Sequence, residues 1–196
     1  MLDKSLKDND LVALAKEGDM KALGALMEKY DPILTQVLRK YVKDLHELQD
    51  IKQDVFCKLM KSIDKFRGDS AFYTWLYRIA VNTAKNYLLS YDKRNTIKEV
   101  DMDKIESSLE NIFAKDTENP ELFIEYSNTQ ESIFHIMDKL PLDLRTSLIL
   151  RDFEGLTYND ISYVMGCPLG TIKSRIFRAR EFIMSEVYVS GNITKN

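Results

Sequence analysis

Cysteine, histidine, glycine and proline are all scarce in this chain. Cys57 and Cys167 are its only cysteines, and His46 and His135 its only histidines. No spacing among these four resembles a zinc site or a redox CxxC pair. Each cysteine sits among apolar neighbours, which predicts a buried free thiol. Only 7 Gly and 4 Pro, beside many Leu, Lys, Glu and Ile residues, favour helices over a turn-rich sheet protein. No apolar run approaches the roughly 20 residues needed to span a bilayer. The opening stretch MLDKSLKDNDLVALAKEGD is charged throughout and lacks the apolar core of a secretory signal, so a cytoplasmic protein is expected. There is no Gly-rich phosphate loop, no GxSxG and no paired metal-ligand motif, which disfavours an enzyme. Neither a catalytic residue nor a metal nor a cofactor is expected.

What is present suits a folded protein. The 196 residues leave room for one ordinary domain or two small ones, and 44% hydrophobic with 30% charged residues excludes whole-chain disorder. The net charge of −3 conceals an uneven distribution. Residues 52–94 carry 9 basic and 4 acidic side chains, whereas residues 95–127 carry 3 and 9. Further on, Lys173, Arg175, Arg178 and Arg180 cluster with no acid between Asp160 and Glu181. Two basic zones thus flank an acidic stretch, a pattern that points to nucleic acid.

Apolar periodicity marks the elements. Leu11, Leu14 and Ala15 lie on one helix, which Gly18-Asp19 breaks, and Ala22, Leu23, Leu26, Met27 and Tyr30 lie on the next. Asp31-Pro32 reads as the start of a further helix, because Pro is tolerated in a first turn. Leu48, Ile51, Val55, Leu59 and Ile63 stripe a helix over roughly 47–63. Then 64–70, DKFRGDS, reads as a loop whose Ser70 caps a helix from about Ala71 to Leu89. Residues 93–127 lose the periodicity and read as an acidic linker. Helical spacing returns at Ile133, Ile136, Met137 and Leu140, stops at Pro141, and resumes through Leu144, Leu148, Ile149 and Leu150. No internal repeat is evident, so the all-α fold expected is two small, unlike helical domains on a flexible acidic tether.

The most specific signal is LTYNDISYVMGCPLGTIKSRIFRAREFI, residues 156–183. Thr157 and Asp160 resemble a capping box, Gly166 a C′ residue of positive φ, and Pro168 the opening of a second helix. Two helices about a tight turn make a helix-turn-helix. On the second helix Ile172, Ile176, Ala179 and Ile183 share one face, while Thr171, Ser174, Arg175 and Arg178 share the opposite one. Arginine forks bind guanine edges and hydroxyls reach phosphates or bases, so this array suits a major groove. A merely solvated basic face is the other reading. The second signal is FRGDSAFYTWLYRIAVNTAKNYL, residues 66–88. There Phe72, Leu76, Ile79, Thr83 and Tyr87 form a buried stripe and Arg78, Asn82 and Lys85 a polar one. Aromatic rings interleaved with cations suit unpaired bases, although a packed aromatic core would look similar.

These two stretches, the 156–183 one extended by LPLDLRTSLILRDFEG before it, resemble the extracytoplasmic-function (ECF) sigma factors of bacterial RNA polymerase, and among them the sigma-E-like, envelope-stress branch. The resemblance covers most of 10–92 and 128–188. Asn159-Asp160-Ile161-Ser162 stands where Glu-Ile-Ala is usual, and Lys173 where Arg is common. The resemblance implies four segments. Residues 1–92 would be sigma region 2, binding core polymerase and capturing and melting the −10 element. Residues 93–127 would be the linker, 128–190 region 4 reading the −35 element, and 191–196 a tail. It places Asp50, Gln53, Asp54 and Phe56 on the helix that meets the polymerase β′ clamp helices. It assigns the −10 element to Phe66, Arg67, Ser70, Phe72, Tyr77, Arg78, Asn82 and Lys85. Flipping a base out of the duplex costs a few kcal/mol, which the 66–70 loop would offset. It assigns the −35 element to Thr171, Lys173, Ser174, Arg175, Phe177 and Arg178. The partners implied are core RNA polymerase (β′ and β subunits), promoter DNA and a membrane-anchored anti-sigma factor that holds the protein inactive, with no small-molecule substrate. From the residues alone, a dimeric helix-turn-helix regulator stays open as the alternative, separable by co-elution with core polymerase.

Overall fold

The computed structural model describes residues 7–95 and 130–189, and among these every regular element is helical. The linker expected over 93–127 falls almost wholly outside the described residues, as does the 191–196 tail. The N-terminal domain comprises α1 (Asp8–Lys16), α2 (Met20–Leu38), α3 (Leu45–Ser62), a 3₁₀ turn (Ile63–Lys65) and α4 (Phe72–Asn95). The C-terminal domain comprises α5 (Gln130–Asp138), α6 (Leu142–Leu148) continuing as a π turn (Ile149–Phe153), α7 (Tyr158–Met165) and α8 (Leu169–Val189).

The helix boundaries have local causes. Gly18 takes φ +94° and Asp19 follows as the N-cap of α2, its carboxylate accepting Lys21 N–H at 2.8 Å and Ala22 N–H at 3.2 Å. Asp44 caps α3 in the same way, accepting from His46 and Glu47 at 2.8 and 2.9 Å. Such caps satisfy donors that the first turn leaves without intrahelical partners. Gly155 and Gly166 adopt φ +68° and +64°, left-handed conformations that a side chain would strain.

Three sequence expectations are corrected. Pro32 does not open a helix: α2 runs through it. The cost of an interior proline, roughly 3 kcal/mol, is outweighed by an unbroken apolar face of Leu23, Leu26, Tyr30, Leu34, Val37 and Leu38, all buried. Ser70 does not cap α4. Its hydroxyl donates to the Ala71 carbonyl at 3.4 Å, and that carbonyl takes the first helical N–H from Trp75. Cys57 is exposed rather than buried, because it lies off the Leu48–Ile51–Val55–Leu59 stripe that faces the core; Cys167 is half-buried.

Two apolar clusters hold the molecule. One packs α1 and the first half of α2 against α3 and the start of α4, with Leu26, Val55, Phe66, Phe72 and Leu76 inside. The other is shared between the domains. Val37, Leu38, Tyr41, Tyr77, Val81 and Ala84 join Leu144, Leu148, Ile161, Val164, Ile172 and Ile176 in one continuous core. Each such large side chain contributes about 1.5–3 kcal/mol on burial.

Candidate nucleic-acid interface

The helix-turn-helix forms from the signals that predicted it. Thr157 Oγ1 accepts Asp160 N–H at 3.1 Å and donates to Asp160 Oδ2 at 2.6 Å, closing the cap of α7. Gly166 turns the chain, and the Pro168 carbonyl takes the first helical hydrogen bond of α8 from Ile172. Ile172, Ile176, Ala179 and Ile183 are buried, as the periodicity predicted. Lys173, Ser174, Phe177 and Arg178 are exposed, with Phe177 at 57%. Thr171 and Arg175 are half-buried. Arg180, the fourth member of the basic cluster, forks onto Asp152 (Nε–Oδ2 3.0 Å) and is thereby held to the π turn. That hydrogen bond raises its already high pKa.

The α4 face is more surprising. Arg78 and Asn82 are exposed and Lys85 half-buried, but this side of the helix is answered by the C-terminal domain. Thr74 donates to Asp160 Oδ1 at 3.3 Å, and Tyr77 donates to Glu154 Oε2 at 2.7 Å. The Arg78 guanidinium lies 5.0 Å from the centre of the Tyr163 ring, within cation–π range. Lys85 donates to Asp143 Oδ1, and Arg175 of α8 reaches Asp143 Oδ2 at 2.6 Å. Glu154 also receives Lys40, and its side chain is only 7% exposed. Burial and the neighbouring Glu154 carboxylate both push the Tyr77 hydroxyl's pKa up, so it stays a donor. The π turn explains how Glu154 gets there: its N–H returns to the Ile149 carbonyl, a wider turn than an α-helix makes.

In the preceding loop, Phe66 and Phe72 are buried and stack edge-to-face with centroids 5.7 Å apart, with Trp75 5.2 Å from Phe66. Lys16 Nζ ties the Phe66 carbonyl at 3.0 Å, and Gly68 turns the chain at φ +80°. Arg67 is left exposed and Ser70 half-buried. The face of α3 carries Asp50, Gln53 and Asp54 in the open, with Phe56 half-buried against the first core. Met60, 43% exposed, continues that face.

Two helical domains, one of them a helix-turn-helix and each with a basic helix face over an apolar one, have the build of a DNA-binding protein. Residues 26–94 match the family model for Sigma-70 region 2, and residues 130–183 that for Sigma-70, region 4. The chain is 44% identical over 177 residues to the RNA polymerase sigma-H factor of Pseudomonas aeruginosa, spanning 90% of this chain and 92% of that protein. It is 40% identical over 186 residues to the ECF RNA polymerase sigma-E factor of Escherichia coli K12, spanning 95% and 97%. Among solved structures, CnrH in complex with the cytosolic domain of CnrY shares the fold, with TM-score 0.65, 21% identity, and 93% and 97% of the two chains covered. The chain belongs to the sigma-70 family of RNA polymerase sigma factors, in its extracytoplasmic-function branch. It is therefore a transcription initiation factor, binding core RNA polymerase and promoter DNA. The dimeric regulator left open above is displaced. No described helix is long and apolar enough to cross a membrane.

Proposed function

We propose that residues 1–92 bind core polymerase and open the −10 element, that 128–190 read the −35 element, and that 93–127 join them. The observation that supports this reading is the pair of basic arrays on α4 and α8, each backed by a buried apolar stripe, with Arg78, Asn82, Lys173, Ser174 and Arg178 exposed. On α8, Arg175 and Arg178 read base edges, Thr171, Lys173 and Ser174 grip phosphates and neighbouring bases, and Phe177 supplies an apolar contact. On the N-terminal domain, Arg67, Ser70, Arg78, Asn82 and Lys85 hold the melted strand. Phe66, Phe72 and Tyr77 act from beneath, shaping the loop and helix that receive a flipped base. Asp50, Gln53, Asp54 and Phe56, with Met60, meet the polymerase. The protein works in the cytoplasm without catalysing a reaction of its own. A membrane-anchored anti-sigma factor restrains it there, and its promoters are those of envelope-stress genes. An anti-sigma partner is named for the sigma factor RpoE of Bartonella quintana, solved in complex with the anti-sigma factor NepR, which supports restraint by such a partner here.

The test separates the two elements. In holoenzyme, Asn82→Ala should slow promoter opening, read as permanganate reactivity of unpaired thymines, while leaving the footprint over −35 intact. Arg175→Ala should do the reverse, and equal loss from both variants at both elements would refute the division of labour.

A further inference from the structure

The loop assigned to the −10 element is held from a helix far away in sequence. Lys16 stands in the last turn of α1, and its ammonium donates to the carbonyl of Phe66, 50 residues further on, at 3.0 Å. The sequence explains the reach. Leu11, Val12 and Ala15 bury one face of α1 in the same apolar cluster as Phe66 and Phe72. Lys16 follows Ala15 at the exposed rim of that face. A lysine so placed lays its methylene stem along apolar surface and keeps its ammonium outside.

Phe66 is where the loop begins. Its N–H closes the 3₁₀ turn on the Ile63 carbonyl at 3.2 Å, and its own backbone then extends at φ −67° and ψ 116°. At the far end of the loop, Phe72 meets the Tyr30 ring at 5.4 Å, and the Tyr30 hydroxyl donates to Asp8 Oδ2 at 2.6 Å. So α1 braces the loop at both ends, through Lys16 at its entry and through Asp8 and Tyr30 at its exit. Between them, no hydrogen bond among the described residues holds Arg67, Gly68 or Asp69. The carbonyl that Lys16 holds belongs to the planar peptide joining Phe66 to Arg67, so this one contact sets the direction in which Arg67 and Gly68 depart. A segment that orders only on binding loses affinity to the freedom it gives up, and preorganisation avoids that loss. A loop that must also offset the unstacking of a flipped base has the most to gain.

We propose that Lys16 is a positioning residue for promoter opening: it fixes the Phe66 carbonyl, and through it the 66–70 loop, in the shape that receives the melted −10 strand, without touching DNA itself. The inference rests on the assignment of that loop to the −10 element.

The test compares holoenzyme carrying the native full-length chain, Lys16→Met and Lys16→Arg. Methionine keeps an apolar stem and removes the ammonium, while arginine restores a charged donor. Circular dichroism checks that each variant folds. Opening is read as the rate at which unpaired thymines become permanganate-reactive, alongside the −35 footprint. Lys16→Met should slow opening about 3- to 10-fold and blur discrimination between the native −10 element and single-base variants of it. The −35 footprint and the salt dependence of binding should stay native. Lys16→Arg should bring opening back to within about 2-fold of the native rate. A native rate in Lys16→Met would overturn the proposal. So would a slower rate with a salt slope shallower by about 0.7–0.9, the mark of a lost phosphate contact. Equal loss over −35 would overturn it as well, because Lys16 would then serve the fold in general. Failure of the underlying assignment reads differently: Arg67→Ala would then open the promoter at the native rate, whereas a sound assignment leaves Arg67→Ala slow whatever Lys16→Met does.

Discussion

The Tyr77 hydroxyl donates to Glu154 Oε2 at 2.7 Å, joining the middle of α4 to the π turn of the C-terminal domain. Both groups are buried, and the same carboxylate receives Lys40. A buried carboxylate left short of a donor keeps its desolvation cost without the compensating bond, which makes this contact expensive to break.

Tyr77→Phe removes the hydroxyl and little else. It should lower stability by about 1–3 kcal/mol, read as a shifted urea midpoint with the slope nearly unchanged. An unshifted midpoint would show that the domains do not stay joined through this contact in solution.

Ile176 is fully buried, one helical position before exposed Phe177. Ile176→Asp puts a charge into the shared core and should cost at least about 3–5 kcal/mol, enough to unfold the C-terminal domain. Phe177→Ala, at a site already in water, should melt within about 0.5 kcal/mol of the native chain. Comparable melting of the two variants would place the recognition helix in the wrong rotation.

Arg178→Ala in holoenzyme should cost about 1–3 kcal/mol of binding on a native −35 element and relax discrimination at one base pair. Lys173→Ala should weaken all sequences alike and flatten the salt dependence. Uniform loss from both would make Arg178 a phosphate contact.

Asp44 gives a pH-dependent signature. The Glu47 and His46 backbone N–H groups hydrogen-bond its carboxylate and lower its pKa from 3.8. A carboxylate depressed by folding stabilises above its unfolded pKa and loses that contribution as pH falls through the folded one. Asp44→Ala should therefore lower the melting temperature at pH 7 and do so less at pH 2–3. Asp44→Asn, which keeps an accepting oxygen at the cap, should melt near the native chain at pH 7. An Asp44→Ala deficit of the same size at both pH values would contradict the cap.

Local signals made much of this readable in the sequence. Thr157, Asp160, Gly166 and Pro168 act within a few residues of one another, and together they define the helix-turn-helix before any tertiary contact forms. Pro32 misled for the complementary reason: a local preference for a helix start was overridden by the apolar face that α2 buries on both sides of it. The closed pairing of the domains was not legible. A stripe of Arg78, Asn82 and Lys85 looks the same whether DNA or protein answers it, and the residues that meet Lys85 and Arg78, Asp143 and Tyr163, lie 58 and 85 positions away. Asp143 and Glu154 read as ordinary surface acids until the fold brings them onto α4.

Run-off transcription is the most direct measurement of the central claim. Core RNA polymerase supplied with this chain should start a single transcript from a template bearing a sigma-E-type −35 and −10 pair. Scrambling −35 should remove the transcript through lost binding, and scrambling −10 should remove it through lost opening. A transcript indifferent to both elements, or none from any such template, would contradict the account.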